Sequence, residues 1–220
     1  MRIDILTLFP EMCNAYLNES IIGRARKAGK VEIECTDIRE YTKDKHRRVD
    51  DTPYGGGMGM IMQVEPVYDC YSAICEKLGT KPHLIYLTPQ GKTLTQQRVR
   101  ELAAMENIAL LCGHYEGIDE RVIEELQPEE ISVGDYVLTG GELPALILAD
   151  AVSRMLPGVL SDDECFEEES HFSSLPYLRF VLPHQSCFSV FPYISFGSSS
   201  PEGYQIPSVS VLLLHPYRYP

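Results

Sequence analysis

The 220-residue chain has no tryptophan, and its 19 lysines and arginines are outnumbered by 32 aspartates and glutamates. No apolar run reaches about 18 residues, so nothing in the sequence reads as a membrane-spanning helix. Seven cysteines (13, 35, 70, 75, 112, 165 and 187) form no CxxC pair, and their number is odd. That argues against a zinc site or a disulfide framework, and for a reducing, cytoplasmic setting. The six histidines show neither HxxxH nor HExxH spacing, so no protein-bound transition metal is predicted. The net charge of −13 speaks against a general nucleic-acid surface, but phosphate is met by local patches. Two patches stand out: Lys43, Lys45, His46, Arg47 and Arg48, and Arg24, Arg26, Lys27 and Lys30. Each is read equally well as solvated surface charge.

What is present is a regular alternation of strand and helix patterns. The first residues are apolar but broken by Asp4, Pro10 and Glu11, which reads as a strand over 2–9 and not as a signal peptide. Residues 11–28 suit a helix interrupted near 18–20, where Ser20 is placed to cap a second segment. Residues 31–38 alternate as a half-buried strand. Residues 39–64 look irregular, and their glycines lack the Gly-Lys-Ser/Thr of a phosphate-cradling loop. A loop of that length inside a compact domain is usually functional or disordered. Pro66 suits the first position of a helix carrying Val67, Cys70, Tyr71, Ile74 and Leu78. Strand 83–88 runs into Pro89, Gln90 and Gly91; helix 95–105 follows, then a continuous apolar strand at 108–112. The expected fold is therefore α/β, a mostly parallel sheet with helices on both faces.

Two stretches follow short apolar runs and precede helical patterns: residues 113–121 (GHYEGIDER) and 132–144 (SVGDYVLTGGELP). Loops at the carboxyl ends of parallel strands are where ligands bind, and their glycines let bare backbone approach a ligand. They are read as walls of a small-molecule pocket. The helix from 142 to about 155 is apolar nearly all round and should be buried. Asp150 and Arg154, four residues apart on it, suit either an intrahelical ion pair or a site. After residue 172 the pattern stops: residues 173–220 hold three charged residues, Arg179, Glu202 and Arg218, with seven prolines and ten serines.

Five blocks in order carry a resemblance: residues 6–12 (LTLFPEM), 49–57 (VDDTPYGGG), 87–91 (LTPQG), 112–121 (CGHYEGIDER) and 131–144 (ISVGDYVLTGGELP). Over residues 1 to about 174 the chain closely resembles the bacterial tRNA (guanine-N1)-methyltransferases, of the trefoil-knotted SPOUT methyltransferases. The resemblance implies a deep knot, a homodimer with its active site at the subunit interface, and S-adenosyl-L-methionine as cofactor. It also implies methylation of N1 of guanosine 37 in the tRNA anticodon loop, assisted by Mg2+. The implied cofactor residues are Tyr86, Leu87, Thr88, Pro89, Gln90, Gly113, Tyr115, Glu116, Gly117, Ser132, Val133, Gly134, Tyr136, Leu138, Gly140, Gly141 and Pro144. Arg154 matches the catalytic cation, and Glu116 an acidic residue beside the target guanine. The general base matches Glu169, with Glu168 next in line, where the family carries aspartate.

The implied organisation is a cofactor-binding catalytic domain at 1–162, an acidic linker at 163–174, and an atypical tail at 175–220. The tail stands where the family has a basic tRNA-binding domain. Its abrupt loss of charge and periodicity is the pattern a shifted reading frame leaves, and it predicts poor order and impaired activity. An inactive, cofactor-binding dimer is the alternative.

Overall fold

The computed structural model describes residues 1–53, 56 and 58–160. The linker, the tail and Glu169 lie outside the described residues. Strand β1 (Arg2–Thr7) leads into helices α1 (Pro10–Leu17) and α2 (Ser20–Lys27), then strand β2 (Glu32–Asp37) and a 3-10 turn (Ile38–Glu40). A two-stranded ribbon, β3 (Asp50–Asp51) and β4 (Ile61–Met62), precedes α3 (Val64–Leu78). Strand β5 (His83–Thr93), α4 (Gln96–Ala103), β6 (Asn107–Cys112), α5 (Glu120–Leu126), β7 (Glu129–Ser132) and α6 (Glu142–Ser153) complete the series.

Five strands form one parallel sheet in the order β2-β1-β6-β5-β7. Side chains alternate across a strand. Ile108, Leu110 and Cys112 of β6 accordingly join one core with Ile3, Ile5, Leu102 and Leu148. Ala109 and Leu111 join another with Leu6, Val67 and Cys70. Both faces are covered, which is why β6 reads as an unbroken apolar run.

Several expectations shift in detail. The helix break near 18–20 is present, but Glu19 occupies the cap position without a side-chain hydrogen bond, and Ser20 has φ +52°. Pro66 lies inside the first turn of α3, which starts at Val64. Helix α6 is not wholly buried: Leu143 is 49% and Ile147 46% exposed, so one apolar stripe stays open. Asp150 on that helix accepts a hydrogen bond from Tyr16 Oη at 2.5 Å.

Strand β5 also runs further than its Pro89-Gln90-Gly91 segment suggests. Ile131 of β7 pairs first with Leu87 and again with Lys92, so residues 88–91 bulge out of the ladder. A Cβ on Gly91 would stand 2.5 Å from the Glu130 carbonyl carbon and the Ile131 nitrogen. Only glycine lets the strand close back onto β7 there.

Candidate functional site

The bulge at 88–91, the loop after β6 and the loop between β7 and α6 all leave the carboxyl ends of three adjacent strands. They enclose a cleft of about 410 Å³. That size suits a small organic ligand. All 17 residues expected to contact a cofactor line it, from Tyr86 through Pro144. It is also lined by residues the sequence reading left out, chiefly His114, Glu120 and Glu130. Glu130 carried a signal: it alternates with Ile131 on β7, so one of the two had to face away from the core.

Glycines set the walls. The Gly141 N–H donates to the Gly113 carbonyl at 2.8 Å. A Cβ on Gly141 would meet Cys112 Cα at 2.7 Å. Its bare backbone is therefore required by the end of β6, and the ligand side gains a wall as a consequence. Gly113 lies against the ring of Tyr86, where a Cβ would meet the ring carbon at 3.0 Å. Burial pushes the Tyr86 phenol above its ordinary range, with the Glu130 carboxylate adding to it, so the hydroxyl stays protonated.

Behind the glycines a buried polar chain ties three strand-end elements together. The Phe9 N–H donates to Thr7 Oγ1, which donates to Glu142 Oε1, both at 2.9 Å. The Glu142 side chain is buried at the start of α6, and Oε2 stands 4.0 Å from His114 Nδ1. His114 Nδ1 is itself buried and has no hydrogen-bond partner among the described residues. The His114 ring packs edge-on against Phe9 and Tyr115, at centroid distances of 5.2 and 5.0 Å.

Residues 59–62, at the end of the irregular 39–64 stretch, dock directly on the loop that lines the cleft. Glu116 N–H donates to the Met60 carbonyl at 2.9 Å, Met62 N–H to Gly117 at 2.9 Å, and Asp119 N–H to Met62 at 3.1 Å. Gly59, at φ +99°, sits over Glu116, where a Cβ would meet Cγ at 2.5 Å. Asp119 then caps α5, accepting from the Arg121 N–H at 3.0 Å.

A model of the tRNA (guanine-1)-methyltransferase TrmD family matches residues 1–186. The chain belongs to this methyltransferase family. The match continues past residue 174, near which the sequence motifs stop. Among relatives, the tRNA (guanine-N(1)-)-methyltransferase of Ruminiclostridium cellulolyticum is 59% identical over 184 residues, 83% of this chain and 79% of its own. That of Chloroflexus aurantiacus is 56% identical, covering 83% and 72%. The crystal structure of tRNA (m1G37) methyltransferase from Aquifex aeolicus superposes with a TM-score of 0.68 at 45% identity, over 74% of this chain and 72% of that one.

Within this methyltransferase chain the expected site residues divide into three groups. The cofactor residues and Glu116 share the cleft. Glu169 falls outside the described residues. Arg154 follows the last residue of α6, half-buried and apart from the cleft lining. Ten residues separate it from Pro144, about 15 Å along a helix axis.

Proposed function

We propose that the chain transfers a methyl group from S-adenosyl-L-methionine to N1 of guanosine 37 in tRNA, in a site completed by a second copy of the chain. The observation that carries this reading is the single cleft built from three strand-end loops. It suits the cofactor chemically: the Glu116, Glu120 and Glu130 carboxylates line it, matching a ligand with sulfonium and ammonium charges. Tyr86, Tyr115 and Tyr136 add aromatic faces for a purine and a cation. When bound, S-adenosyl-L-methionine supplies an electrophilic methyl group.

The chain's own residues have three tasks. Neutral guanine N1 carries a proton, and the Glu169 carboxylate, or Glu168 beside it, removes it as the base becomes nucleophilic. Negative charge then spreads to O6, where the Arg154 guanidinium stabilises it. Glu116, held by the Met60 carbonyl and Gly59, positions the base in the cleft mouth. The target lies in a single-stranded loop, so it can be splayed out and read at its Watson–Crick edge.

Support for the second copy comes from separation and exposure. Arg154 stands about 15 Å along α6 from the cleft residue Pro144. Leu143 and Ile147 of that helix, with Met12 and Tyr16 of α1, leave exposed apolar surface next to it. A trefoil knot belongs to the same proposal and rests on the family resemblance. Cytoplasmic location belongs to it too; among the described residues no helix is long and apolar enough to cross a membrane. Mg2+ is part of the family expectation, but among the described residues no group of three or more potential ligands gathers to hold a metal.

Labelled methyl transfer to an unmodified tRNA transcript, followed by nuclease digestion, tests the reading. The expected product is 1-methylguanosine from position 37, absent with a transcript lacking that guanosine. One observation favours a second reading, a dimer that binds cofactor and transfers nothing: glutamates occupy 167–169 where the family expects an aspartate. Glutamate is one methylene longer, and catalytic groups tolerate only about 0.5 Å of misplacement. Cofactor binding without transfer selects that reading.

A further inference from the structure

Two basic patches were legible in the sequence, and the fold separates them. Lys43, Lys45, His46, Arg47 and Arg48 follow β2 and the 3-10 turn, at the sheet edge where the strands' carboxyl ends and the cleft lie. Arg24, Lys27 and Lys30 precede β2 and are exposed at the opposite edge. Only the first patch shares an edge with the cleft.

That patch is an ordered turn and not a loose charge run. Asp44 Oδ2 accepts from the backbone N–H of His46 at 3.0 Å and of Arg48 at 3.1 Å. Thr42 Oγ1 donates to the Arg48 carbonyl at 2.7 Å, and the Arg47 N–H to the Asp44 carbonyl at 2.9 Å. Arg47 Nη2 reaches back to Asp37 Oδ2, 3.3 Å away at the end of β2. With the backbone and Asp44 fixed in this way, Lys43, Lys45, Arg47 and Arg48 all project from one short segment and are all exposed.

The turn is also tied to the cleft. Val49, the next residue, is buried in one core with Met62 and Ile118. The Gln63 N–H donates to the Val49 carbonyl at 2.8 Å, and Met62 N–H to the Gly117 carbonyl at 2.9 Å. One ribbon therefore links the basic turn to the loop carrying Glu116. A cationic segment rigidly coupled to a cleft, on a chain of net charge −13, is suited to a polyanion that must be held while one part of it enters that cleft.

From this we infer that the Thr42–Arg48 turn is a docking surface for the sugar-phosphate backbone of the RNA substrate. Lys43 and Lys45 contact phosphates directly, and Asp44 is the positioning residue that shapes the turn. The inference rests on the proposed tRNA methylation and deepens it by assigning the RNA a second contact outside the cleft. Phosphate contacts hold register without reading sequence.

The test is tRNA binding as a function of salt, measured on the full chain without turnover. For Lys43→Ala/Lys45→Ala the expected result is a dissociation constant for tRNA raised about tenfold near physiological salt. The slope of log affinity against log salt should flatten by roughly one per lysine removed. S-adenosyl-L-methionine affinity should be unchanged, which also reports an intact fold. The control Lys27→Ala/Lys30→Ala, at the far edge, should leave tRNA affinity and slope as they were. Equal losses in both double variants, or no loss in the first, overturn the inference. So does an unaltered chain that shows no salt-dependent tRNA binding, or a first variant whose only change is in sedimentation, which would make the turn a protein contact. Binding with no methyl transfer counts instead against the proposed reaction, and the two variants still decide the role of the turn.

Discussion

Gly141 donates its N–H to the Gly113 carbonyl at 2.8 Å, and this contact joins the two loops that face each other across the cleft. A methyl group at Gly141 would stand 2.7 Å from Cys112 Cα, a backbone atom that cannot swing aside. Gly141→Ala is therefore expected to push the 132–141 loop off the end of β6. Stability should fall by about 1–3 kcal/mol, the range for overpacking. Cofactor affinity should fall at least tenfold; thermal unfolding and calorimetry on the same sample measure both.

Gly59 sets the position of Glu116 in the same steric manner. With φ at +99° and a virtual Cβ 2.5 Å from Glu116 Cγ, Gly59→Ala strains the backbone and displaces the carboxylate. The expected effect is selective. The rate of methyl transfer drops on the order of a hundredfold, as a small misplacement near the chemistry does, with a smaller fall in cofactor affinity because Glu116 also lines the cleft. Single-turnover kinetics beside calorimetry separate the two.

Arg154→Ala should lower transfer by about 10²–10³-fold, the scale of removing one donor from a developing oxyanion. Cofactor affinity should stay within a few-fold, because Arg154 is apart from the cleft lining. Mixing this variant with Gly141→Ala should restore part of the activity, since a mixed dimer holds one intact cleft facing one intact Arg154. Ile147→Glu places a charge on the exposed stripe of α6 and should shift sedimentation from dimer toward monomer, with transfer lost in parallel.

Asp119 caps α5 from the end of the cleft loop. Its hydrogen bonds to Arg121 hold its carboxyl below the usual carboxylate range, outweighing the effect of burial. The sign follows from linkage: a depressed folded-state value contributes stability above the unfolded value, and the contribution disappears as pH falls through the folded one. Asp119→Ala should cost about 1 kcal/mol near neutral pH, typical of a lost N-cap. The difference from the unaltered chain should shrink in acid below about pH 4. Urea titrations at several pH values measure it.

The sheet and the cleft-forming loops were legible because their signals are local. A run such as residues 108–112 states that both faces are covered, and glycine-bearing loops after such runs mark the ligand edge. The bulge in β5 was not legible, because Pro89 and Gly91 read as an ending and only the backbone of β7 explains why the strand resumes. The docking of residues 59–62 on Glu116 was hidden for a similar reason: three hydrogen bonds between main-chain groups leave little trace in side-chain identity. At Gly141 the sequence shows a cleft glycine but not its second constraint, the Cys112 backbone 2.7 Å from where a Cβ would stand. The exposed stripe of α6 reads as core in sequence, because Leu143 and Ile147 are as apolar as the buried residues beside them.

Titration of the full chain with S-adenosyl-L-methionine by calorimetry tests the central claim most directly. The account predicts one saturable site per chain, displaced by S-adenosylhomocysteine and lost in Gly141→Ala. Absence of binding at millimolar cofactor, or binding that Gly141→Ala leaves untouched, would contradict it.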